Sequence, residues 1–336
     1  MWLEPKSIRR FRADLLRWFR KEQRDLPWRA TSDPYRILVS EIMLQQTRVT
    51  VVKERYRDFL RRFPSAARLA KANEQSVLAA WSGLGYYRRA RNLHAAAKSI
   101  VKSGCFPHTA EQLEQLPGIG RYTAAAVASI AFGEAVALVD GNVKRVLRRV
   151  AGRELSDQEC WESAQLLLAR KAAGDFNQAM MELGAIICLP GEPLCSQCPV
   201  VGDCSARGPG SSINRKSRLK ATVGYELAHR DGRVFLRQRQ KSASLMPGMW
   251  ELPAHNTNGT PILTVRHSIT TTDYTVRVFP GRAKGRDGRW VDLRAVENFP
   301  LTGLTRKILM KTGLLESSMR GQQPGSEKNR KHLPDE

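Results

Sequence analysis

The stretch CLPGEPLCSQCPVVGDC sets Cys188, Cys195, Cys198 and Cys204 along the chain with six, two and five residues between them. If these four side chains act together they must converge on one point, and the chain around them is forced into a compact knot. Thiols crowded this way in a protein without a secretory leader suggest metal thiolates and not disulfides. The single close pair with wide outer gaps differs from the paired Cys-x-x-Cys of zinc ribbons, and four thiolates can hold either zinc or an iron–sulfur cluster. Cys105 and Cys160 stand apart and are expected as buried packing residues.

The charge narrows the choice of partner. Lys and Arg number 55 against 32 Asp and Glu, so the 336-residue chain carries a net charge of +23. An excess of this size points to a polyanion, and with no apolar run long enough for a membrane that polyanion is nucleic acid; a generally basic, solvated surface is the plainer alternative. The N-terminus has no signal-peptide core, and Glu4 and Asp14 argue against a transit peptide. A soluble, cytoplasmic monomer with no membrane contact is expected.

Composition divides the chain. Residues 1–206 are rich in Ala, Leu and helical periodicity, and Ile8, Phe11, Leu15, Leu16, Trp18 and Phe19 among the first arginines read as an amphipathic helix. Residues 207–220 hold five basic residues, no acid and several breakers, an exposed linker. From 221 to 315 the pattern turns to the strand-like stretches TVGYELAHR, RVFLRQR and TVRVF and a closing helix near Leu304, an α+β domain. Residues 316–336 are nearly without apolar content and read as a disordered tail.

Two acids stand where acids are unusual. Asp33-Pro34 is a helix-start signal, and the helix predicted from Pro34 to about Gln46 is apolar around nearly its whole circumference, yet carries Glu41 on it. Glu41 is either a marginal residue reaching water or a desolvated carboxyl with a raised pKa. Asp140 precedes a helix whose Val143, Val146, Leu147 and Val150 form one stripe, with Lys144, Arg145, Arg148 and Arg149 facing elsewhere. At that helix start the dipole and free N–H groups are expected to hold Asp140 ionised, so the chain pairs a protonated acid with a charged stabiliser. Between them, TAEQLEQLPGIGRYTAAAVASIAF reads as a capping box at Thr109 and Gln112, a tight turn at Leu116–Gly120 and an Ala-rich helix. Gly118 and Gly120 in that turn would let backbone N–H groups approach a phosphate; a plain helical hairpin is the alternative.

In this order, SEIMLQQT, GLGYYRRARNL, LPGIGRYTAAA, LVDGNVKRVLRR, FNQAMMELGAIIC and the cysteine spacing resemble the endonuclease III superfamily of DNA glycosylases, and within it the mismatch-specific adenine DNA glycosylases. The resemblance implies a mostly α N-terminal region, a helix-hairpin-helix glycosylase fold with a six-helix part at about 25–132 and a cluster subdomain of 1–24 and 133–206. It also implies that the four cysteines hold a [4Fe-4S] cluster. The target base is flipped into a cleft. Glu41 then matches the acid that protonates adenine, Asp140 the carboxylate that stabilises the positive sugar, and Asn142 and Tyr122 the rest of the catalytic group. Tyr122 stands where the strand-cutting relatives carry a Schiff-base lysine, which implies a monofunctional enzyme. By the same matching Trp28, Arg29 and Gln178 line the base pocket, Leu44 is a further substrate-binding residue, Gln46 and Tyr86 wedge into the duplex, and Gly118 and Gly120 belong to the hairpin.

The α+β region resembles the Nudix-like domain of that family through MPGMWELP and RWVDLRAVENFPLTGLTRKIL, without the Glu-rich metal segment of true Nudix hydrolases. Its reading loop, usually Phe-Ser-His, is here Ile269, Thr270 and Thr271, and the loop between Cys188 and Cys195 carries Glu192 and no Lys or Arg. The implied partner is double-stranded DNA with adenine opposite 8-oxoguanine or guanine, and the implied place is the cytoplasm, at the nucleoid. Two rival functions remain at this level: a monofunctional glycosylase for another base such as mispaired thymine, and a noncatalytic iron–sulfur DNA-binding protein.

Overall fold

In a computed structural model of the chain, the residues described are 4–207, 219–240, 242–243, 246–269, 272–281, 283, 288–296 and 299–315. The tail, most of the linker, Thr270, Thr271 and the side chain of Ile269 lie outside them. The chain divides into two units. The first is Met1–Leu219 with Arg239–Met249 and Glu297–Pro300; the second is Lys220–Gln238, Trp250–Val296 and Leu301–Glu336.

The first unit is helical: α1 (Pro5–Glu22), α2 (Pro34–Leu44), α3 (Val49–Arg62), α4 (Ala66–Ala70), α5 (Glu74–Ala80), α6 (Arg88–Ser103), α7 (Ala110–Glu114), α8 (Arg121–Phe132), α9 (Gly141–Ala151), α10 (Asp157–Leu167) and α11 (Ala173–Ile186). α1 buries Ile8, Phe11, Leu15 and Phe19, one stripe at helical spacing. Each such side chain contributes about 2–3 kcal/mol of burial. α2 is capped by Asp33, which accepts from the N–H groups of Tyr35 and Arg36. The helix stops at Leu44, two residues before the expected end, because Gln46 takes a positive φ of 56° and turns the chain.

Two cores organise this unit, and α8 serves both. Ala124, Val127 and Ala128 join a core made with Trp28, α2, α3, α5 and α6, while Ala125 and Ala126 join a second core made with α1, α9, α10 and α11. Only small side chains let one helix lie against both. The cleft between the two cores is where the polar residues below meet. Met249, in the segment Arg239–Met249, is fully buried in the first core, and the Arg91 guanidinium donates to the Pro247 carbonyl at 2.6 Å. Among the lone cysteines, Cys160 is buried as expected, but Cys105 is exposed, since it follows the left-handed Gly104 that ends α6 and stands clear of either core.

The second unit is α+β. β1 (Leu219–Leu227), β2 (His229–Arg230), β3 (Arg233–Gln238), β4 (Trp250–Glu251), β5 (Ala254–His255), β6 (Leu263–Ile269), β7 (Thr272–Pro280) and β8 (Gly288–Asp292) form two four-stranded sheets, with α12 (Gly303–Lys311) after them. One sheet runs β5-β1-β7-β6; the other runs β2-β3-β4, with β8 also on β3. Asp231 and Gly232, both at positive φ, make the tight turn between β2 and β3 that an Asp-Gly pair favours. β6 and β7 pair antiparallel from Leu263↔Val278 to Ile269↔Thr272. Val276 and Val278 are fully buried, while Arg277 between them is half-buried and Thr275 before them exposed, the alternation of a strand with one covered face.

Candidate active site

A cavity of about 530 Å³ opens in the first unit, lined by Trp28, Arg29, Glu41, Leu44, Gln46, Tyr122, Asp140, Asn142 and Gln178, together with Arg24, Met181 and Glu182. Its size suits a small ligand such as a single base. α2 carries Glu41 to it, the first turn of α8 brings Tyr122, the start of α9 brings Asp140 and Asn142, and α11 brings Gln178 and Glu182. Tyr86 stands outside the cavity wall, 44% exposed.

Glu41 is buried at 4% exposure, so the desolvated reading holds. Burial pushes its carboxyl up to about 7; the Tyr122 hydroxyl, donating at 2.8 Å, and Arg29 pull it down, and Asp140 pushes it further up. A carboxyl titrating there carries a proton to give at neutral pH. Tyr122 keeps its own proton, since burial and the two carboxylates hold its pKa well above the phenol range.

Asp140 caps α9 as expected. It accepts from the Val143 N–H at 2.7 Å and from the Asn142 amide at 3.1 Å. Its pKa is nonetheless raised by burial, which outweighs the donors. The donors expected at the helix start are in place, and burial opposes them. The arginines after it do not simply face away: Arg145 donates to Asn142 Oδ1 at 2.9 Å and to the carbonyls of Gly184 and Cys188, and Arg149 donates to Cys188 Sγ at 3.4 Å.

Glu182 was missed in the sequence, although it stands in FNQAMMELGAIIC as Glu41 stands in its helix, a lone acid in an apolar run. It is 1% exposed. Burial would push it up, but Arg24 and Arg29 donate to both its oxygens at 2.6–3.1 Å and take it down to about 2. The pairing also fixes the Arg29 guanidinium at the cavity wall. Trp28 belongs to the first core, edge-on to Tyr56, and lines the cavity as well.

Gly118 and Gly120 lie at the turn before α8, and the capping box on Thr109 and Gln112 is present. Gly118 has a packing reason of its own, apart from the expected approach to a phosphate. It has a φ of +72°, and the Asn92 side chain fills the place its Cβ would take, so packing against α6 requires glycine there. At Gly120 the corresponding space is open.

The four clustered cysteines come together. Burial raises the pKa of Cys198, and Cys188, Cys204 and Cys195 each add to it; Cys188, Cys198 and Cys204 pack against the second core. Among the described residues no three Cys, His, Asp or Glu side chains are set to hold a single metal ion. Four thiols with a guanidinium donating to one of them fit, in type and number, the ligand set of an anionic iron–sulfur cluster.

A helical unit with two cores, a hairpin turn and the carboxyls of Glu41 and Asp140 lining the intervening cleft has the architecture of helix-hairpin-helix glycosylases. Residues 39–166 match the family described as HhH-GPD superfamily base excision DNA repair protein. A thermostable thymine-DNA glycosylase of known structure is 33% identical with a TM-score of 0.57, over 60% of this chain and 96% of its own. The chain belongs to the HhH-GPD superfamily of base excision DNA repair proteins. Within it, the human adenine DNA glycosylase is 48% identical over 62% of this chain and 41% of its own, and that of Arabidopsis thaliana 34% over 74% and 48%. The chain thus spans about half the length of the curated relatives it matches.

Proposed function

We propose that the protein is a monofunctional DNA glycosylase that removes adenine mispaired with 8-oxoguanine or guanine. The observation that carries this is Glu41: a buried carboxyl titrating at about 7, beside Asp140, in a chain whose relatives include adenine DNA glycosylases. The adenine, turned out of the duplex, enters the cavity against Trp28, Leu44, Gln178 and the Arg29 held by Glu182. Glu41 gives its proton to N7 while the bond from C1′ to N9 breaks, its electron pair going to the base, which leaves neutral. Asp140, held by Asn142 and the Val143 N–H, stabilises the positive sugar. Water then adds to C1′ and returns a proton to Glu41. Tyr122 holds Glu41 in place and has no amine with which to form a Schiff base.

Gln46 and Tyr86 fill the space the base leaves, and N–H groups at the Gly118–Gly120 hairpin bind a phosphate. Cys188, Cys195, Cys198 and Cys204 would hold a [4Fe-4S] cluster, which supplies a cross-link for the chain after α11. The second unit, read as Nudix-like, recognises 8-oxoguanine through Ile269, Thr270 and Thr271. The partner is duplex DNA with adenine opposite 8-oxoguanine or guanine, met by a cytoplasmic monomer at the nucleoid. No helix among the described residues is long and apolar enough to cross a membrane.

A second reading has one observation behind it: the thymine-DNA glycosylase is covered over 96% of its length. Single-turnover excision on duplexes with adenine opposite 8-oxoguanine, adenine opposite guanine and thymine opposite guanine separates the two. Adenine release without strand cleavage is expected. Release of thymine alone would replace the adenine reading. Iron analysis of protein prepared without oxygen is expected to give about four irons per chain, and stoichiometric zinc would exclude the cluster.

A further inference from the structure

Gln46 and Tyr86 are both non-glycine residues at positive φ, 56° and 45°, on two separate turns. Side chains rarely hold this conformation unless the surroundings impose it. The imposing group is Arg89, at the second position of α6 and 9% exposed. Its Nη1 donates to the carbonyls of Ile42 at 2.8 Å, Met43 at 2.9 Å and Gln45, the end of α2. Its Nη2 donates to Thr47 Oγ1 at 3.0 Å and to the carbonyls of Leu84 at 2.9 Å and Gly85 at 3.2 Å. One end of the guanidinium thus serves the turn that carries Gln46, and the other ties that turn to the one that carries Tyr86. The plane also lies 5.5 Å from the ring centres of both Trp81 and Tyr86. The Thr47 hydroxyl adds a rung of its own to the Leu84 carbonyl at 3.2 Å.

We propose that Arg89 is the positioning residue for the duplex wedge: it locks the turn after α2 to the turn before α6, so that Gln46 and Tyr86 stand at a fixed spacing and enter DNA as one preformed unit. The proposal rests on the reading of Gln46 and Tyr86 as wedge residues. A lysine at this position keeps the charge but is a point donor on a flexible stem, and cannot serve both turns at once.

The test is a double-mutant cycle on the full chain, with a duplex carrying adenine opposite 8-oxoguanine and 2-aminopurine beside the adenine. The 2-aminopurine fluorescence reports extrusion of the base, and single-turnover excision reports the chemistry. Tyr86→Ala and Arg89→Lys are each expected to lower both by roughly tenfold with duplex binding nearly unchanged; the melting temperature is expected to hold for Tyr86→Ala and to fall for Arg89→Lys, which leaves buried carbonyls without donors. In the Tyr86→Ala background, Arg89→Lys is expected to cost no more than about a further threefold, because one of the two residues whose spacing it fixes is gone. If Arg89→Lys costs its full factor again, or has no effect where Tyr86→Ala does, the positioning role is overturned. If neither Tyr86→Ala nor Gln46→Ala alters extrusion, the wedge reading itself falls. Should Arg89→Lys fail to fold, Thr47→Val, which removes one rung, is judged by the same non-additivity.

Discussion

Glu41 and Glu182 line one cavity and titrate in opposite directions, one raised to about 7 and the other lowered to about 2. Both are buried; the difference is two arginines. Folding raises Glu41 from its ordinary 4.5, so the folded chain holds that proton more tightly than the unfolded one. Stability is therefore lost as pH rises between these values, by roughly 3 kcal/mol at about pH 8. Glu41→Gln is expected to abolish excision, to leave duplex binding nearly intact, and to unfold at a higher temperature than wild type above about pH 7, with the difference gone below about pH 4. Thermal melts across that range check it; an inactive variant with no gain at high pH would mean that Glu41 is not desolvated. Glu182→Gln should act at a distance. It leaves Arg24 and Arg29 uncompensated near Glu41, whose pKa Arg29 already lowers, so the alkaline limb of the excision profile is expected to move down by about one pH unit. An unmoved limb would show that the glutamate only fastens the arginines.

At the level of elements, the approach of α11 to α9 decides whether the site closes. Gly184 lies where a Cβ would come 2.6 Å from the Cβ of Asn142 and 3.1 Å from its carbonyl oxygen, so any side chain pushes the first turn of α9 away. Asn142 is the residue that donates to Asp140. Gly184→Ala is expected to cost about 1–3 kcal/mol of stability and roughly tenfold or more in excision. Denaturant unfolding and single-turnover excision measure the two. A loss of stability with full activity would place the Asn142 contact outside the chemistry.

For the whole molecule, the boundary between the units does not fall at a single point in the chain. Met249 and Pro247 come late in the sequence but belong to the first unit, Met249 with no exposure. A chain ending at Arg218 is therefore expected to lose about 2–4 kcal/mol from the first core as well as the preference for 8-oxoguanine over guanine opposite the adenine. Thr271→His in the full chain should raise that preference, by a margin worth about 1–3 kcal/mol if it restores one hydrogen bond to the base. Excision rates on the two duplexes for each chain decide it; a truncated chain that keeps the preference would remove the reading role from the second unit.

What the sequence determined by itself was local in origin. Asp33 before Pro34, the capping box at Thr109, the stripe of Val143, Val146, Leu147 and Val150, and the apolar setting of Glu41 each follow from residues a few positions apart, whose chemistry acts within one element. The strand-like stretches and the helix at Leu304 were legible for the same reason. Only the tertiary structure decided the rest. Distant elements bury Asp140 and raise its pKa against the pull of its own helix. The pairing of Glu182 with Arg24 and Arg29, and the grip of Arg89 on the turn after α2, join residues more than forty positions apart, and neither spacing nor composition encodes them. A side chain's partners across the fold are set by packing, and packing exists only once the whole chain has closed.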